Sequence, residues 1–250
     1  MAYNSIDRAP SYHTIASVNF LAVEKSPLIV RALPYGAFVL LTSMQGKLFL
    51  GSEYWIYFLK TLVGAALLRW LWKSIGECRW RFSWEAVLAG VLVFVLWVGL
   101  DGHYPDLSSL LGRLGWASAA KTGDVSWQPL VFFRDDVALG WFFVVVRIVG
   151  SSWVVPPIEE VFFRSLVYRS IANPDFEKHP IGRWHPIAFV LQAILFGVAH
   201  REWISGILCA LIYQGLVIHK KRLGDAMTAH ATTNFLLGLW IVYKGAWHFW

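Results

Sequence analysis

Two adjacent carboxylates, Glu159 and Glu160, and one guanidinium, Arg164, stand inside the otherwise apolar run WVVPPIEEVFFRSLVYR, residues 153–169. Further along, the apolar stretch ending LFGVAHRE carries His200, and the stretch MTAHATTNFLLG carries His230 and Asn234. Carboxylates and imidazoles are the side chains that take up and release protons, and a carboxamide supplies hydrogen-bond donors. A Glu and two His (Glu159, His200, His230) could also ligate Zn²⁺ and leave a position open for water, although there is no HExxH pair and each candidate ligand lies on a different segment. Ionisable groups at membrane depth are costly and by default mark function. The blander alternative is a buried structural salt bridge, with the remaining polar groups acting as helix–helix glue.

Spacing separates these residues. Glu160 and Arg164 are four apart on a helix with the acid on the N-terminal side, the favourable order for an ion pair. Glu159 lies about 100° away around the same helix, so it is left free for other work. His230 and Asn234 are also four apart and share a face, as do Phe196 and His200. His13, His103, His179, His185, His219 and His248 fall near segment ends and read as interfacial hydrogen-bonders.

The elements that must hold these groups are long apolar segments, at about 27–44, 54–72, 84–100, 186–200, 203–218 and 226–243, each near the ~20 residues that cross a bilayer as a helix. From Val137 to Ala172 the chain is apolar almost throughout. As one straight helix this run would be about 54 Å long, against a hydrocarbon core of about 30 Å. It is therefore expected to be two helices or one strongly bent one, broken at Pro156-Pro157, with the Glu helix second and opened by proline. Arg147 in its first half is a further buried-charge candidate, suited to holding a carboxylate or a carbonyl. The fold class that follows is all-α, a polytopic transmembrane helical bundle of about seven or eight membrane helices. Ser83 is a good N-cap for its segment, and the Ser205/Cys209 and Gly206/Ala210 pairs suit close helix contact. Arg31, Lys60 and Arg69 are expected to snorkel to the interface. Residues 101–135 form a long polar connection, the kind that is often functional.

Composition fits this setting. Hydrophobic residues make up 57% and charged ones only 15%, with a mean hydropathy of +0.51, far from a soluble average. Many of the 15 Trp flank apolar runs, as an interfacial belt would have them. The net charge of +6 comes with basic residues in short loops, including Arg79, Arg81, Lys220, Lys221 and Arg222. Topology and anionic lipid account for that pattern, and nucleic acid is not the expected partner. Cys78 and Cys209 define neither a disulfide framework nor a metal site. If 137–172 crosses the membrane once, the basic loops at 73–81, 178–183 and 220–222 all face one side, expected to be cytoplasmic.

The series Glu159-Glu160-x-x-x-Arg164, Phe196-x-x-x-His200 and His230-x-x-x-Asn234 resembles the three motifs of the CPBP intramembrane protease family, which includes the CAAX prenyl endopeptidases. The resemblance covers roughly residues 136–243. The composition and apolar runs divide the rest of the chain into a polar tail (1–26) and N-terminal transmembrane helices with the long loop (27–135), and the resemblance makes 136–250 the expected intramembrane protease core. The resemblance further implies a glutamic-type endopeptidase with no metal cofactor, Zn²⁺ being the alternative. In that scheme Glu159 is the general base on a water held by His200, His230 and Asn234 stabilise the oxyanion, and Glu160 with Arg164 is structural. The absence of a GxSxG motif agrees with an activated water. The implied partners are the lipid bilayer and a membrane-anchored or lipidated protein substrate, and the implied location is a bacterial plasma (inner) membrane. The ending GAWHFW and the stretch ISGILCALIYQGL resemble a bacterial subgroup found alongside exosortase protein-sorting systems, Ala199 before His200 being a departure from it. A silent membrane scaffold or immunity protein is the alternative outside enzymes.

Overall fold

A computed structural model describes residues 26–115 and 127–250. The tail expected at 1–26 thus lies almost wholly outside the described residues, together with His13 and the middle of the long polar loop. Among the described residues every regular element is a helix. In chain order they are α1 (Pro27–Met44), α2 (Ser52–Leu71), α3 (Trp84–Gly99), the short α4 (Leu107–Arg113) and α5 (Pro129–Phe132), α6 (Val137–Ala172), α7 (Pro186–Val198), α8 (Trp203–Lys220) and α9 (Gly224–Lys244).

The local sequence explains the starts. Ser26 and Ser83 accept the N–H of Ile29 and Ala86 as N-caps, and Asp136 accepts that of Leu139. Pro27, Pro129 and Pro186 occupy first-turn positions, where a missing N–H costs nothing. Three helices, α1, α6 and α8, are long and apolar enough to cross a membrane by length and composition. The expected seven or eight spans exceed that number for a physical reason. α3 and α7 are only 16 and 13 residues long, while α2 and α9 carry Glu53, Lys60 and Arg69, and Asp225, His230 and Asn234.

α6 departs from the expected break. It is one helical run of 36 residues, continuous through Pro156-Pro157, with π-helical turns at Gly150–Val154 and Val161–Val167. In the first π turn the Val155 N–H bonds the Gly150 carbonyl, an i→i−5 step. The next N–H in that register belongs to Pro156, which has none, and would have reached Ser151 O. That orphaned carbonyl accepts instead from Asn234 Nδ2 of α9 at 2.8 Å. The prolines are thus absorbed by a widened turn and a neighbouring side chain, and no break is needed.

The helices pack around α6 with two sets of connections at opposite ends. At one end Arg31 (α1) grips Glu77 bidentately at 2.7 and 3.0 Å, Ser165 of α6 donates to the same carboxylate, and Arg169 lies 3.6 Å from it. Lys221 Nζ donates to Gly182 O there, and Gly224 packs on the Arg79 carbonyl. The loops at 73–81, 178–183 and 220–222 therefore share one end, as a single crossing by α6 requires. At the other end Trp203 Nε1 donates to Pro105 O, and Tyr104 OH hydrogen-bonds Ser205, so the polar connection folds over the α7–α8 turn.

Two charges expected to snorkel are buried. Arg31 is held by Glu77, and Lys60 donates to Thr42 and Gln45 at 2.8 Å each. Both find partners inside the bundle, so neither side chain needs to reach the interface. Arg69 is exposed.

Candidate active site

α3 and α9 lie in close contact because Gly90 has no side chain. A Cβ there would stand 2.4 Å from Ala229 O and 2.7 Å from Thr232 Cβ. Thr233 of α9 donates to Gly90 O at 2.7 Å and meets Tyr213 OH of α8 at 2.6 Å. α7 and α8 approach as closely, with Gly206 against Gly197. These contacts hold His200 at the end of α7, and His230 and Asn234 on α9, against the Glu stretch of α6.

The result is a cavity of about 230 Å³ lined by Glu159, His200, His230 and Asn234, together with Arg147, Ser151, Phe196 and Tyr213. The structure brings together the four residues predicted to be catalytic. Glu160 and Arg164 lie behind the cavity wall, both fully buried. Glu160 Oε2 is 3.1 Å from Arg164 Nε, an ion-pair contact whose angle is too poor for a hydrogen bond. The Arg164 guanidinium instead rests over the Phe196 ring, 4.4 Å from its centroid.

His230 touches both carboxylates of the pair. Its Nδ1 is 2.9 Å from Glu160 Oε1, and its Nε2 is 4.0 Å from Glu159 Oε2. A carboxylate can only accept, so Nδ1 carries the proton and Nε2 faces Glu159 and the cavity. Glu160 is therefore more than Arg164's partner, because it also orients His230. Sequence spacing along one helix could not show a contact 70 residues away. His200 Nδ1 likewise donates to the Phe196 carbonyl at 2.8 Å, leaving the Nε2 lone pair to act as acceptor. Glu159 Oε2 is buried without a hydrogen-bond partner.

Asn234 spends one amide N–H on Ser151 O, and the other is available to the cavity. Glu202, at the turn before α8, also lines the cavity, and burial pushes its carboxyl up. Sequence reasoning missed Tyr213 and Ser151. The first had a signal, since Ser205, Cys209 and Tyr213 form a stripe at four-residue spacing. The second had none, because its role belongs to its backbone carbonyl. Among the described residues no group of three His, Cys, Asp or Glu side chains is placed to hold a metal ion.

A helical bundle that surrounds a carboxylate–imidazole cavity with apolar helices is an integral membrane protein with a buried polar site. Residues 140–236 match the Rce1-like family model, described as type II CAAX prenyl endopeptidase Rce1-like, so this part of the chain is similar to the CAAX-protease (CPBP) family. The matched span contains all three motifs and falls within the resemblance read from them. It does not distinguish the exosortase-associated subgroup. No curated protein and no solved structure matches the chain.

Proposed function

We propose that this protein is an intramembrane endopeptidase that hydrolyses a peptide bond of a membrane-associated protein with a water activated by Glu159. The observation that carries this reading is Glu159, which lines the cavity and holds a buried, unpartnered carboxylate oxygen 4.0 Å from His230 Nε2. The residue therefore borders the space that a reacting water would occupy.

The steps use the groups in place. Glu159 takes a proton from water as its oxygen attacks the scissile carbonyl carbon, and the His200 Nε2 lone pair holds the second water proton. Negative charge then collects on the former carbonyl oxygen. His230, oriented by the Glu160 carboxylate at Nδ1, points Nε2 at it and donates from there in its doubly protonated form. The free N–H of Asn234 is the second donor. Glu159 then passes its proton to the leaving amine as the C–N bond breaks.

A membrane-anchored or lipidated bacterial protein, processed in the plasma membrane, is the substrate class this reading favours. Processing within a protein-sorting system of the exosortase kind is its narrower form. The deciding experiment is cleavage of a membrane-peptide library by the purified protein in detergent, for wild type and Glu159→Gln, with and without a strong chelator. Activity that survives chelation and disappears in Glu159→Gln is expected. Activity lost to chelation and restored by Zn²⁺ would turn Glu159, His200 and His230 into a metal site. A folded wild type that cleaves nothing would favour the silent scaffold.

A further inference from the structure

Arg147 lines the same cavity as Glu159, yet it takes no part in the chemistry above. Its guanidinium makes no ion pair or hydrogen bond to any described residue. It is held only by aromatic rings, at 4.4 Å from the Tyr57 centroid, 4.7 Å from Trp127 and 5.7 Å from Trp250. A second cation, Lys60, lies over the other end of this cluster, 4.7 Å from the same Tyr57 ring, also without a carboxylate partner. An arginine set among rings, with its planar fork of donors unspent, carries a desolvation cost that an anion would relieve.

The helix aims this group along the reaction path. Arg147, Ser151, Val155 and Glu159 all line the cavity at intervals of four residues. In a regular α-helix four residues turn about 400°, so such a series would drift some 120° over three steps. The π turn at Gly150–Val154 winds more slowly and cancels most of that drift, keeping the four positions on one face. Twelve residues of helix separate Arg147 from Glu159 by about 18 Å of axis at most. Less the reach of the two side chains, this leaves room for about three to five residues of extended peptide.

We propose that Arg147 forms a carboxylate-binding subsite, which positions the substrate by an anion a few residues from the bond that Glu159 attacks. The anion is either the α-carboxylate of the peptide's own C-terminus or an acidic side chain near it. This rests on the peptidase reading, so the test reads binding separately from turnover. Short apolar peptides with an N-terminal fluorophore are made as free acid, as carboxamide, and as carboxamide with Glu in the last position. Their affinity for the full-length Glu159→Gln protein in detergent is measured by fluorescence anisotropy. The free acid, the Glu carboxamide or both are expected to bind about ten- to a hundredfold more tightly than the plain carboxamide, as a charge-assisted hydrogen bond implies. Whichever binds tightly identifies the source of the carboxylate. Adding Arg147→Gln should bring the ratio to about one, and Arg147→Lys should restore part of it with the thermal melt retained. Equal affinities with Arg147 intact, or equal weakening of all three peptides by Arg147→Gln, would overturn the proposal. A wild type that cleaves none of the peptides would count against the peptidase reading and leave the affinity ratio to decide the subsite.

Discussion

Glu159 and Glu160 are neighbours in sequence with opposite surroundings. Glu159 lines the cavity and keeps a buried oxygen without a partner, while Glu160 is enclosed between Arg164 and His230. Glu159→Gln should therefore abolish cleavage with little change in the thermal melt. Glu160→Gln and Arg164→Ala should lower stability by about 3 kcal/mol or more, since each leaves a buried charge without its partner. Equal stability losses in all three variants, seen by thermal unfolding in micelles, would return Glu159 to the role of helix glue. The same separation argues against treating the EE pair as two interchangeable acids. Of the two, only Glu159 lines the cavity.

At the scale of elements, the widened turn of α6 and the face of α9 form one device. Pro156 leaves Ser151 O without a backbone donor, and Asn234 fills the place. Asn234→Ala should cost about 1–3 kcal/mol by leaving that carbonyl unsatisfied, in addition to removing an oxyanion donor. Pro156→Ala restores a backbone N–H and lets the π turn relax toward α geometry. Activity should fall in that variant while the melting temperature holds or rises. The α3–α9 contact is a second device, resting on Gly90. Gly90→Ala drives a methyl into the Ala229 carbonyl and should destabilise by about 1–3 kcal/mol as α9 is pushed away. Because α9 carries His230 and Asn234, the activity loss should exceed the fraction unfolded, which circular dichroism and turnover on one sample would compare.

At the scale of the whole molecule, the three basic loops gather at one end around Glu77. Cysteines introduced at Arg79 and Pro180, both exposed, should be labelled by an impermeant reagent from the same side of the membrane. One at His103, also exposed, should react from the opposite side. The native Cys78 and Cys209 are buried and should stay silent. Opposite reporting by positions 79 and 180 would mean that α6 does not cross once. The Glu77 node also makes stability depend on acid. Burial alone would raise its carboxyl, but hydrogen bonds from Arg31 and Ser165 and the Arg31 charge outweigh it and hold the group below its ordinary value. A carboxyl depressed in the folded state stabilises above its unfolded value of about 4.3 and loses that contribution as pH falls through the lower folded value. Thermal melts should show an acid-side decline below about pH 4.3 that Glu77→Gln flattens, at the cost of lower stability at neutral pH.

Chain chemistry alone determined the helical class, the positions of the apolar segments to within a few residues and the pairing of Glu160 with Arg164. These are local or periodic properties, set by hydrophobic runs, caps and i,i+4 spacing. It also singled out Glu159, His200, His230 and Asn234, because polar groups inside apolar helices stand out by their cost. Only the tertiary structure decided that His230 bridges both glutamates, that Asn234 caps the Ser151 carbonyl and that Arg31 and Lys60 turn inward. It also decided that α6 runs through its prolines. Each of these depends on a partner contributed by a distant part of the chain, and no local pattern records which side chain will arrive to satisfy an orphaned carbonyl or a buried charge.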